Sequence, residues 1–101
     1  MAEDDRTACR TPAAGKSGVT RIPTWKYDLM RKHILAVVGA AGPDGFPFQD
    51  LAAAVGERIT DTQKSKLGSL GWHSTTVKLE LEVAGDLKRM EDVSPQRLLL
   101  G

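Results

Sequence analysis

The side chains best suited to chemistry in this sequence are cations and hydroxyls in its second half. Lysine and arginine bind phosphate oxygens, and serine or threonine hydroxyls reach either phosphates or base edges. If these residues share a surface, they predict a nucleic-acid contact site made of Lys66, Ser74, Thr75, Lys78, Lys88, Arg89 and Arg97. Acidic residues, including Glu80 and Glu91, are interspersed among the cations. An ordinary mixed-charge surface is therefore the alternative interpretation of the same residues.

Metal binding and catalysis find little support in the residue types. His33 falls within an amphipathic segment, His73 opens another, and Cys9 lies near the start of the chain. A structural zinc site needs about four ligands at regular spacing. His73 and Ser74 place a base beside a hydroxyl, but no orienting acid accompanies them, so helix capping by Ser74 is the favoured interpretation. We expect no enzyme activity, no metal and no cofactor.

Composition narrows the class of protein further. The chain has 101 residues, 14 Lys and Arg against 13 Asp and Glu, and a formal net charge of +1, which excludes a histone-like polycation. No apolar run approaches the roughly 18 residues of a membrane span, so no membrane partner is expected. The first residues lack the apolar region of a secretory signal. A single cysteine fits a reducing compartment, and a cytoplasmic location is expected.

The chain divides into a predicted tail, residues 1–22, and one predicted domain, residues 23–101. The tail has no periodic apolar pattern and is predicted to be flexible. Its cations, Arg6, Arg10, Lys16 and Arg21, are compatible with a basic arm for nucleic acid, but the neighbouring acids offset most of that charge. A solvated terminus is the favoured interpretation.

Apolar periodicity predicts helices in the first half of the domain. A helix over 25–41, with Thr24 as N-cap, gathers six apolar residues on one face: Tyr27, Met30, Ile34, Val37, Val38 and Ala41. Phe46 and Phe48 flank a proline, which suits a short edge strand. A second helix is predicted over 50–58. Thr60 and Gln63 have capping-box spacing, which predicts one or two helical turns over 61–67.

Residues 74–85 carry two conflicting patterns. Val77, Leu79, Leu81 and Val83 alternate with charged residues, which is typical of a half-buried strand. A helix here would be apolar on two opposite sides. Short strands are predicted over 87–91 and 96–100, joined by a turn.

Residues 81–89, LEVAGDLKR, resemble the junction between the recognition helix and the wing in winged-helix DNA-binding domains. In that family the leucine anchors the helix, the glycine ends it in a left-handed turn, and the chain enters a hairpin, the wing. Over about 80 residues the chain also resembles a family of small uncharacterised bacterial proteins, through Lys26, Trp72, the run TVKLELE at 76–82, and Pro95. The resemblance implies a helix over 73–84. It implies an α+β fold with three main helices, a short extra helical turn and a C-terminal β-hairpin wing.

Two functions are compatible with that fold. The leading prediction is a small DNA-binding or DNA-binding-like module, such as a transcriptional regulator, which binds double-stranded DNA through wing cations and the start of helix 73–84. The alternative is a dimerisation module that binds no nucleic acid and pairs through Leu79 and Val83, which lie opposite the core-facing residues. Leu79 and Glu82 are poor base-reading residues, which weighs toward the alternative. The linker of about 59–72 is also longer than the usual turn of 3–4 residues.

Overall fold

Helix α1 (Thr24–Ala41) is the longest element of the computed structural model, which describes residues 5–10 and 19–101. The predicted apolar stripe is its inner side, with Met30, Ile34 and Val38 buried. The predicted N-cap is wrong by one residue. Thr24 is already helical, and Pro23, whose φ of −54° and ψ of 133° are not helical, is the cap position. The Thr24 hydroxyl lies 2.9 Å from the Thr7 hydroxyl, in a hydrogen bond with that side chain instead of with the helix amides.

Three shorter helices follow: α2 (Leu51–Gly56), α3 (Asp61–Leu67) and α4 (Leu70–Ala84). The capping box at α3 is confirmed: the Thr60 hydroxyl accepts from the Gln63 amide, and the Gln63 side chain accepts from the Thr60 amide. Helix α4 begins three residues before the predicted start because the Ser69 hydroxyl caps it, accepting from the Trp72 amide at 3.0 Å. Capping by Ser74 was therefore a wrong prediction.

The helix predicted over 73–84 is confirmed against its alternating pattern. Helix α4 ends at Gly85, whose φ of 91° and ψ of 4° are left-handed. The chain then enters β4 (Leu87–Arg89) and returns as β5 (Arg97–Leu100), which is the predicted C-terminal hairpin. Strand β5 also pairs with the short β3 (Phe46–Pro47), so the antiparallel sheet has the order β3-β5-β4.

The N-terminal segment corrects the predicted flexible tail. β1 (Arg6–Arg10) and β2 (Val19–Pro23) form an antiparallel pair, with Cys9 opposite Thr20 and Thr7 opposite Ile22. Cys9 and Ile22 are each only 3% exposed, so the pair, here called the N-terminal hairpin, belongs to the domain. The tail prediction for residues 1–4 and 11–18 lies outside the described residues.

One core connects these elements. Buried apolar side chains come from the N-terminal hairpin, from α1 to α4, from the segment between α2 and α3, and from the C-terminal sheet. They are Cys9, Ile22, Met30, Ile34, Val38, Leu51, Val55, Ile59, Leu67, Val77, Leu81, Leu87 and Leu98. The α+β class is therefore confirmed. No helix in the described part of the chain has the length and apolar character to cross a membrane.

Candidate interaction site

Helix α4 presents an apolar face that the rest of the described chain, residues 5–10 and 19–101, leaves partly exposed. Trp72, Thr76, Leu79 and Val83 recur every three or four residues, so they lie on one side of the helix, here called the outer face. The Trp72 side chain is 47% exposed and Val83 36%, while Thr76 and Leu79 are partly exposed. The opposite side, with Val77 and Leu81, lies in the core.

One border of the outer face is an ion pair with the N-terminal hairpin, here called the Arg10–Glu80 clamp. The Arg10 guanidinium donates to both Glu80 carboxylate oxygens, at 2.9 and 2.6 Å, and the Arg10 amide donates to the same carboxylate at 2.8 Å. Glu80 is 6% exposed. The hydrogen bonds from Arg10 hold the pKa of Glu80 below its usual value, although burial acts in the other direction. The clamp fixes β1 against α4.

The other border is a buried ion pair within α4. The Lys78 ammonium lies 2.8 Å from a Glu82 oxygen, and both side chains are more than nine-tenths buried. The ammonium also sits 4.6 Å from the centre of the Phe48 ring. Arg89 of β4 donates to the same carboxylate at 3.2 Å. Burial lowers the pKa of Lys78, and the hydrogen bond that its ammonium donates to Glu82 partly opposes that shift.

The two borders remove free charge from the surroundings of the outer face. Glu80 is compensated by Arg10, and Glu82 by Lys78 and Arg89. A surface approaching the outer face would therefore meet apolar groups and threonine hydroxyls, not uncompensated carboxylates.

Two of the predicted nucleic-acid residues lie in the interior of the domain. Ser74 and Lys78 are each 2% exposed, which corrects their expected contact with DNA. Ser74 is three residues before Val77 and seven before Leu81, so it lies on the core-facing side of α4. Lys78 is drawn inward by its partner Glu82 and by the Phe48 ring.

The remaining predicted nucleic-acid residues differ in their surroundings. Arg97 donates to the Asp44 and Gly45 carbonyls at 2.9 and 3.0 Å, which ties β5 to the turn after α1. Arg89 is half exposed but paired with Glu82. Lys88 on β4, Thr75 on α4 and Lys66 on α3 are exposed.

Both predicted interface residues, Leu79 and Val83, lie on the outer face. Sequence reasoning missed two others, Trp72 and Thr76. The size of Trp72 favours a place in the core, yet the spacing 72, 76, 79, 83 is a helical stripe that could have identified it as an outer-face residue.

We expect the Arg10–Glu80 clamp to make stability sensitive to acid. Because the pKa of Glu80 is lower folded than unfolded, its contribution is complete above the unfolded value, near 4.5, and is lost as the pH falls through the folded value. Thermal unfolding of Glu80→Gln from neutral to acidic pH should show a lower Tm at neutral pH and a weaker dependence on pH. Glu91→Gln, at an exposed position, is the matched control. Identical profiles for Glu80→Gln and the wild type would contradict the role of the clamp.

Comparison with known proteins gives one match. A family model described as a family of unknown function (DUF6958) matches residues 6–98. No curated protein matches the chain, and no solved structure does.

Proposed function

Because the chain belongs to the family of unknown function DUF6958, its activity has to be inferred from its surfaces, and we propose that it is a self-association module on a winged-helix scaffold. The partner that we assign to the outer face of α4 is a second copy of this chain. The observation that carries the proposal is the apolar stripe formed by Trp72, Thr76, Leu79 and Val83.

The order of elements supports the winged-helix scaffold. A long helix leads to a short strand, further helices, α4 and a hairpin, and the short strand joins that hairpin in one sheet. The left-handed Gly85 turns the chain from α4 into β4, as the resemblance of residues 81–89 implies. Helix α3 is an addition to that scaffold and accounts for the long segment before α4.

The order of large and small side chains on the outer face suits pairing with a second copy. In an antiparallel pairing about a two-fold axis near residues 77–78, Trp72 would meet the partner's Val83, and Thr76 would meet the partner's Leu79. Each contact sets a larger side chain against a smaller one, as closely packed helices require. The same patch then serves both copies, which is the usual geometry of a symmetric dimer.

The charges around the outer face permit two copies to approach each other, and the size of the patch sets the affinity of the dimer. Glu80 and Glu82 are compensated within each copy, so pairing does not oppose bare carboxylates. The stripe is about 16 Å long, from 11 residues of helical rise. At the roughly 10 Å width of a helix, a stripe of this length covers far less than the roughly 800 Å² that each partner buries in a stable complex. The dimer should therefore be weak and dependent on concentration.

Duplex DNA binding remains the rival prediction, with fewer residues to support it. Ser74 and Lys78 are buried, and Arg97 and Arg89 are engaged within the domain. The outer face itself bears no cation. The pairing of copies uses surface that the structure leaves exposed, whereas DNA contact would need several of these residues to be released.

Sedimentation equilibrium over a wide range of protein concentration tests the proposal. The wild type should dimerise at high concentration, and Val83→Glu should weaken the dimer at least about tenfold, since it sets a charge against apolar side chains. Leu100→Glu is the matched control, because Leu100 is 48% exposed on β5, outside the outer face. The Leu100→Glu variant should dimerise as the wild type does.

Two outcomes would overturn self-association. One is a strict monomer at the highest concentration. The other is equal weakening by Val83→Glu and Leu100→Glu. A parallel titration with duplex DNA at low salt should show no binding. Salt-sensitive binding that Lys88→Ala reduces would instead favour the DNA-binding prediction.

A further inference from the structure

A groove of about 870 Å³ runs between α1 and α3, on residues that the outer face does not use. Its apolar lining includes Pro23, Trp25 and Leu29, and its charged lining is Lys32, Lys66 and Asp28. The Trp25 side chain is 41% exposed, although α3 faces it. We call this feature the α1–α3 groove.

Two polar contacts hold the groove at its ends. The Lys26 ammonium donates to the Leu67 carbonyl at 2.9 Å, which joins the start of α1 to the end of α3. The Arg58 guanidinium donates to His33 Nδ1 at 3.2 Å, which joins the middle of α1 to the segment before α3. The two helices therefore run antiparallel along the groove, with its width fixed at both ends.

The charges of the groove favour an anionic occupant. Lys32 and Lys66 face it with one opposing acid, Asp28. In residues 5–10 and 19–101, neither ammonium lies within 4.0 Å of a carboxylate oxygen. Nearby, burial and the cations Arg58 and Lys32 lower the pKa of His33, which is consistent with a positive potential along this side of α1.

The dimensions favour a peptide. Trp25 and Lys32 are seven residues apart on α1, about 10 Å, which is about two turns of a bound helix or three residues of an extended strand. The groove is long and open, whereas a small ligand is usually enclosed over most of its surface. An exposed tryptophan beside apolar neighbours is a typical anchor for a peptide side chain.

We propose that the α1–α3 groove binds an acidic peptide segment of a partner protein. One large apolar side chain of that segment packs against Trp25 and Leu29, and flanking carboxylates pair with Lys32 and Lys66.

Titration with a synthetic peptide that carries a single Phe between pairs of Glu residues tests this proposal. Calorimetry should detect binding to the wild type. Lys32→Ala with Lys66→Ala should weaken it roughly 2- to 30-fold, as two solvent-exposed ion pairs allow. Trp25→Ala should weaken it by about 30-fold. Lys88→Ala removes an exposed lysine from the wing and is the matched control, for which the affinity should not change.

Control ligands identify the chemistry of the occupant. A peptide with Lys in place of Glu, and one with Ala in place of Phe, should each bind at least about tenfold more weakly than the acidic Phe peptide. The proposal is wrong if the acidic peptide does not bind, or if the two lysine substitutions leave its affinity unchanged. It is also wrong if a single-stranded oligonucleotide binds the groove more tightly than the peptide. None of these outcomes depends on whether α4 pairs two copies.

Discussion

Replacement of Glu82 by Ala is expected to lower the free energy of unfolding by about 3–5 kcal/mol, the usual cost of removing one partner from a buried ion pair. The Lys78 ammonium would remain 98% buried beside the Phe48 ring, with its carboxylate partner gone. For a domain of this size the loss is a large part of the total stability. Urea unfolding at neutral pH measures it.

The matched control for this prediction is Lys78→Met, which keeps the length of the side chain and removes its charge. Glu82 would still accept from Arg89, so we expect a change of no more than about 1.5 kcal/mol. Because burial lowers the pKa of Lys78, the loss in Glu82→Ala should shrink as the pH rises through the interval between the folded and unfolded values. Equal stability of Glu82→Ala and the wild type would show that the ammonium finds another partner or reaches water.

Replacement of Ile22 by Ala should cost about 2–4 kcal/mol, because it leaves a cavity where the N-terminal hairpin packs on the core. Ile22 is 3% exposed, whereas Val19 on the same strand is 50% exposed. Val19→Ala is therefore the matched control, with an expected effect within about 0.5 kcal/mol. Thermal unfolding gives both values, and hydrogen exchange of the Cys9 amide reports the hairpin itself. If both substitutions were equally mild, the hairpin would not contribute to the stability of the domain.

The elements that the sequence predicted well are those specified by local signals. The stripe of α1, the capping box at Thr60 and the left-handed glycine at position 85 are each complete within a few residues. The resemblance of residues 81–89 was decisive for α4, since the alternation of Val77 and Leu79 favours a strand. In the helix, alternate residues fall on opposite sides: Leu81 lies in the core, and Val83 lies on the outer face.

The N-terminal hairpin escaped prediction because its stabilising contacts are distant in sequence. Within the described part of β1 and β2, each strand buries a single apolar side chain, Cys9 or Ile22, so neither shows a periodic pattern. Glu80, the residue that clamps Arg10, lies 70 positions away. Composition alone gave Arg10 the character of a surface cation.

The candidate site was predicted only in part, because some of its contacts also join residues that are distant in sequence. Leu79 and Val83 follow from the helical wheel once a helix is assigned, and both lie on the outer face. The burial of Lys78 could not be anticipated, because lysines are mostly exposed and are almost never fully buried unless they are paired. Its partner is four residues along the helix, but its enclosure depends on Phe48, which belongs to another element.

The Arg10–Glu80 clamp also bears on the order in which the newly made chain reaches its final structure. The two residues are separated by most of the sequence, and closing so long a loop carries an entropic cost that must be met before the contact forms. During synthesis the ribosome releases the hairpin residues first, while α4 still has to be made. Cys9 and Ile22 therefore lack the α4 part of their packing surface throughout that interval, and the Arg10–Glu80 clamp can close only after α4 has been made.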